Sequence, residues 1–355
     1  MRHRIAVLMT FGLLAVTWPG SAAQVGPVML PPSAGVLAAA RGPADQTVYR
    51  LTPRLRTIGD ARSRAGLLGV RAASLQQMRQ VGTEFLVSDG KWDYSLDTER
   101  QLETLMDRDV MTGKAGRSPV MPDAGQCRDV ALNFLGTRNL IEGGESESLQ
   151  YLTTNEVVRS YVSLEERGLP AGPPRVVMRE VVFGKTIGGV SVVGPGSRVS
   201  VFVGDRGSVI GFMSNWMPAV ATQEKIGVAP PDVAYRRLGD RLRELSGKLP
   251  DRREAVKEAR TQQTRYALSA FRTKGGEMLL LPVYEFRGSL KDGRDRVLSF
   301  SHPVLAATNP TALASRLQLA DQEPVAKPPI VGTAAKPPAS RLPRLPGRIL
   351  RPRSQ

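Results

Sequence analysis

Apolar and polar positions alternate most regularly between Val176 and Phe212. Residues 176–183 are rich in β-branched side chains, and residues 198–203 place Val199, Val201 and Val203 on one face against Arg198, Ser200 and Phe202 on the other, so two strands are predicted. Gly204-Asp205-Arg206-Gly207 reads as a tight turn, because glycine and aspartate tolerate the positive φ that turns need, and residues 208–212 return as a third strand. The expectation is an antiparallel meander. Val199, Val201, Val203 and Val209 form its candidate partner-binding sheet, and addition of a partner's extended segment to its edge is the candidate mode of binding.

Elsewhere the period lengthens. Ile58, Ala61, Ala65 and Leu68 predict a short amphipathic helix that stops at Gly69. Residues 84–87 and 91–96 flank Ser88-Asp89-Gly90, a hairpin signal, with Trp92 and Tyr94 on one face of the return strand. Asp123 caps a helix whose apolar stripe is Cys127, Val130, Ala131, Phe134 and Leu135, with Gly136 as the stop. A second helix starts at Pro230-Pro231-Asp232, with a stripe of Tyr235, Leu238, Leu242 and Leu245 and an arginine-rich outer face; strands follow at residues 266–271, 278–286 and 296–300. These elements predict an α+β fold, with helices packed on antiparallel sheets in units at residues 45–115, 120–220 and 228–308.

At the meander the chain resembles a known family. Phe183, Ile187, Gly189, Val190, Val192 and Gly194, then the valine-rich strand, then Asp205, Gly207 and Val209, are similar to the sheet of PepSY and FTP domains. Those domains occur in propeptides of thermolysin-like metallopeptidases and in YycI-type envelope regulators. Leu281-Pro282-Val283-Tyr284-Glu285-Phe286 is similar to the closing strand of such sheets. The resemblance implies two or more PepSY-like units and a non-enzymatic binding or regulatory role, with a peptidase or a sensor ectodomain as protein partner. No peptidase domain follows the matching residues within the sequence, which leaves inhibition, chaperoning and scaffolding all open.

The ends of the chain and its charge set the compartment. Arg2 and Arg4, an apolar run over residues 5–16 and Ser21-Ala22-Ala23 have the layout of a signal peptide cleaved after Ala23, which predicts export to the envelope or beyond, with no transmembrane segment in the mature chain. Residues 24–44 read as a linker. The net charge of +16 falls to +14 when the two leader arginines go, and a basic exported protein meets anionic polymers such as teichoic acid or lipopolysaccharide. Residues 322–355 form a proline-rich basic tail, expected to be disordered, in which Arg341, Arg344, Arg348, Arg351 and Arg353 are candidate contacts to an anionic surface. Envelope-polymer binding is therefore the second functional reading. Nucleic acid is disfavoured, because aromatics are scarce and alternate into strands instead of sitting among arginines.

Catalytic chemistry finds few residues. Cys127 is the one cysteine, so no intramolecular disulfide forms, and the mature chain has one histidine, His302, which excludes the two-histidine zinc-peptidase motif and reads as a strand-end surface residue. Gly184-Lys185-Thr186, Gly189-Val190-Ser191 and Gly194-Pro195-Gly196 each lack a defining position of the nucleotide or nucleophile motif they approach, and read as β-turns. Carboxylates need no histidine, so Asp89 and Asp93 beside Trp92 and Tyr94 give a third reading, a glycan hydrolase. Glu142, Glu145 and Glu147 lack the spacing of a calcium loop and read as solvated. The expectation is no catalytic residue, cofactor or metal.

Overall fold

A computed structural model of the chain describes residues 28–53, 56–112, 119–141, 147–159, 175–248 and 256–320. The leader, the basic tail with its five candidate arginines, and the loop acids Glu142 and Glu145 lie outside the described residues. The strands are β1 (Val28–Leu30), β2 (Asp45–Leu51), β3 (Arg79–Val81), β4 (Glu84–Ser88), β5 (Trp92–Asp97), β6 (Leu102–Asp107), β7 (Glu147–Arg159), β8 (Arg175–Ile187), β9 (Val190–Val193), β10 (Arg198–Val203), β11 (Val209–Ser214), β12 (Ala219–Gly227), β13 (Val256–Arg272), β14 (Met278–Asp292) and β15 (Val297–Leu305). The helices are α1 (Ala34–Ala38), α2 (Ile58–Leu68), α3 (Ala72–Leu75), α4 (Arg108–Thr112), α5 (Ala124–Thr137), α6 (Pro231–Lys248) and α7 (Pro310–Arg316).

The expected α+β fold, built of helices packed on antiparallel sheets, is overturned by a fold that is mostly one large mixed sheet with few helices. The fold is sheet-rich: the strands hydrogen-bond in the order β12-β2-β14-β13-β9-β8-β10-β11-β6-β5-β4-β3, with β1 added to β13, β15 to β14 and β7 to β8. The pairing is mixed, since β1 and β9 both run parallel to β13. Local alternation reveals strands but not which distant strand each one meets, and the parallel pairs link residues far apart in sequence. The described residues group into two compact units, each made of interleaved segments.

The first unit takes the described residues within 28–45, 227–266 and 283–308. Its core joins Ala234, Leu238 and Leu242 of α6 to Tyr284 and Phe286 of β14 and to Ala306. Rings pack at 5.8 Å (Tyr235 and Phe286) and 5.7 Å (Tyr266 and Tyr284), an aromatic geometry that adds to plain burial. The described part of the expected linker belongs to this core: β1 pairs with β13, and Ala40 is fully buried.

The second unit takes the described residues within 46–226, 267–282 and 309–320. The expected α2 and α5 form, each with a capping box, Thr57 with Asp60 and Asp123 with Gln126. Gly69 ends α2 at φ 104°, whereas α5 runs one residue past Gly136. Both helices pack Ala61, Ala65, Leu68, Cys127, Ala131, Phe134 and Leu135 onto one face of the sheet, against Tyr94, Leu105, Val181, Phe183 and Phe212. A second cluster joins Leu51, Ile187, Val192, Met217, Leu268 and Leu280.

Candidate functional site

The valines expected to bind a partner lie in this core. Val199, Val201 and Val203 have no exposed surface, and Val209 is half-buried against the same cluster. β10 is paired on both sides, by β8 and β11, so the meander offers no open edge at these positions. A strand with valine at every second position on one face reports burial, and that face turns to α5.

The other sequence candidates also have structural occupations. Asp89 is buried and accepts hydrogen bonds from the backbone amides of Trp92 (2.7 Å), Lys91 (3.0 Å) and Arg71 (3.1 Å), so it ties the hairpin together. Burial alone raises its pKa, but those amides and the Arg71 charge outweigh it and hold the carboxyl below its ordinary value. A glycosidase acid needs the reverse shift. Asp93 is exposed on β5. Cys127 is fully buried, burial pushes its thiol pKa up, and its Sγ faces the Pro122 carbonyl at 3.6 Å. His302 sits inside β15 opposite Phe286 and is half-buried, not at a strand end. The arginines of α6 are not a bare cationic stripe: Arg237 donates to the carbonyls of Ala307 (2.7 Å), Thr308 (3.2 Å) and Leu305 (3.3 Å), while Arg243 pairs with Asp240 and Arg241 with Glu244. The side chain of Leu245 lies outside the described residues.

Two buried ionic clusters escaped the sequence reading. In the second unit, Glu147 does not stand in solvent. Its carboxylate pairs with Lys185 at 3.3 Å and accepts from the Ala219 amide, both side chains being closed to water. Lys185 also donates to the Met217 carbonyl and lies 4.4 Å from the Trp216 ring centre. Gly184 and Lys185 are thus strand residues of β8, not a turn, whereas Gly189, Gly194 and Gly196 adopt the positive φ expected of turns. Nearby in the same unit, Glu103 accepts Arg64 Nε at 3.0 Å and the Tyr94 hydroxyl at 3.1 Å, and burial together with that carboxylate drives the Tyr94 pKa far up. Both clusters are sealed from ligands.

The third cluster opens to solvent. In the first unit, a recess of about 460 Å³ is walled by α1 on one side and by residues 262–265 of β13 with Glu285 and Arg287 of β14 on the other. Glu285 has 1% of its surface exposed. Its Oε2 accepts Arg265 Nε at 2.5 Å and Arg287 Nη2 at 3.1 Å, and its Oε1 accepts Ser301 Oγ at 2.7 Å. The two arginine side chains keep 41% and 43% of their surface exposed. Arg287 Nε and Thr264 Oγ1 are shut from bulk water and lack a hydrogen-bond partner among the described residues. Gln262 and Gln263 add exposed amides to the wall.

Two guanidiniums against one carboxylate leave the cluster a unit of positive charge. Glu285 fixes the planes of both arginines, so their remaining N–H groups are preorganised donors for an anionic oxygen. A charged residue inside the apolar run Leu281-Pro282-Val283-Tyr284-Glu285-Phe286 was the available signal, since such a residue is tolerated only when paired. Its partners Arg265 and Ser301 are too distant in sequence to be read with it.

Among the described residues no helix is long and apolar enough to cross a membrane, and no group of three histidine, cysteine, aspartate or glutamate side chains is placed to hold a metal ion. No family model and no curated protein matches the chain. A solved structure, an uncharacterized protein from Eubacterium rectale ATCC 33656, is similar to it at 10% identity and a TM-score of 0.43, over 76% of this chain and 86% of that one.

Proposed function

We propose that the chain is an exported, non-enzymatic binding module of the cell envelope, and that the recess beside Glu285 is where it holds an anionic group of its ligand. The observation that carries this reading is the pair of half-exposed guanidiniums locked by one buried carboxylate, with unsatisfied polar atoms beside them. The wall supplies donors, and its one carboxylate is already occupied by three of them, which suits holding an anion better than moving a proton. The signal-like leader and the mature charge of +14 favour an anionic polymer of the envelope as the source of that group.

Isothermal titration with inorganic phosphate and with glucuronate, at low and high salt, tests the reading. Binding is expected for at least one of the two, weakened by salt, and Arg265→Ala and Arg287→Ala should each weaken it by about tenfold or more, the value of one charge-assisted hydrogen bond. Binding unchanged in both variants would place the anion elsewhere.

A further inference from the structure

If the recess is the anion site proposed above, its charge and its asymmetry select among anions. Arg265 and Arg287 bring two positive charges, Glu285 removes one, and among the described residues no other ionisable side chain lines the recess. The net charge is one. Attraction to such a cluster grows in proportion to the charge of a ligand, whereas the cost of taking that charge out of water grows as its square. With Glu285 buried and both guanidiniums less than half exposed, a bound anion loses much of its water, so the second effect weighs heavily. A singly charged anion completes local neutrality; a doubly charged one leaves an excess negative charge beside Glu285.

The donors also stand on one side. The strand wall carries both guanidiniums and the amides of Gln262 and Gln263, whereas α1 lines the other side with Gly35, Val36 and Ala39 and one polar side chain, Ser33 at its N-cap. A planar carboxylate fits this asymmetry. Both its oxygens lie along one edge and meet the guanidiniums, and the carbon that bears them turns toward the apolar side. A tetrahedral phosphate points oxygens in all directions, so some of them meet carbon on the α1 side and lose hydrogen bonds. The two glutamine amides, each both donor and acceptor, suit the hydroxyls that flank a carboxylate on a sugar.

We propose that the recess selects a singly charged carboxylate over a phosphate, with Glu285 setting the preference by removing half of the positive charge, and that the polymer it holds is a carboxylated, uronate-type glycan.

The test separates charge from shape with three ligands built on one sugar: glucuronate, glucose-6-phosphate and the methyl diester of that phosphate. Isothermal titration of the chain is run at about pH 8, where a phosphate monoester carries nearly two charges because its second pKa is about 6. Glucuronate should bind about tenfold more tightly than glucose-6-phosphate, with the diester, singly charged but tetrahedral, between them. Arg265→Ala and Arg287→Ala should weaken glucuronate binding. Ala39→Lys, at an exposed position on the α1 side, adds a positive charge to the recess and should narrow the gap between glucuronate and glucose-6-phosphate. Glucose-6-phosphate binding as tightly as glucuronate, with both weakened by the arginine variants, would overturn the carboxylate preference and leave the anion site standing. A diester equal to glucuronate would overturn the part assigned to shape, and a gap unchanged by Ala39→Lys the part assigned to charge. Binding indifferent to both arginine variants would overturn the anion site itself and this preference with it.

Discussion

Asp89 shows how one residue decides between a catalytic and a structural reading. Three backbone amides and the Arg71 charge hold its pKa below the ordinary value, against the opposing effect of burial. A depressed carboxylate contributes stability that is present above its unfolded pKa of about 3.9 and is lost as pH falls through the folded value. Acid unfolding followed by circular dichroism should therefore show a loss below about pH 4 that is reduced in Asp89→Asn, which should itself cost about 1–2 kcal/mol at neutral pH. Equal acid limbs in the two proteins would remove the role assigned to this side chain. Glu285 is the contrasting carboxylate: it is equally buried, yet its partners are side chains that reach an open recess, so its pairing orients donors toward solvent.

Among the elements, legibility followed the range of the interaction that builds each one. Helices α2 and α5 were readable because their caps, Thr57 with Asp60 and Asp123 with Gln126, and their apolar stripes are local. The hairpin around Asp89-Gly90 was readable for the same reason, Gly90 taking φ 89°. The partners of β13 were not, for β1 and β9 reach it from far along the chain. The recess shares that fate, since Arg265, Glu285 and Ser301 come from three strands, and only the oddity of a glutamate in an apolar run hinted at it. Close strand approach gives an element-scale test. A Cβ on Gly288 of β14 would lie 1.9 Å from the Arg260 carbonyl oxygen of β13, a backbone atom that no rotamer change can move. Gly288→Ala should cost at least about 3 kcal/mol in urea unfolding, and a fully stable variant would show that this strand approach is looser than described.

For the molecule as a whole, charge and site point the same way. A chain of net charge +16 concentrates anions near its surface at low salt, but long-range attraction is screened beyond about 8 Å at physiological ionic strength. Under the proposed reading, specific capture then depends on preorganised donors, and Arg265 and Arg287 of the first unit are the candidates. The most direct test is an NMR titration that follows the arginine Nε–Hε resonances of the chain while glucuronate or inorganic phosphate is added at physiological salt. Saturable shifts of the Arg265 and Arg287 signals, lost when Glu285→Gln removes the carboxylate that fixes both guanidiniums, are the predicted result; shifts spread evenly over surface arginines, with these two unmoved, would contradict it.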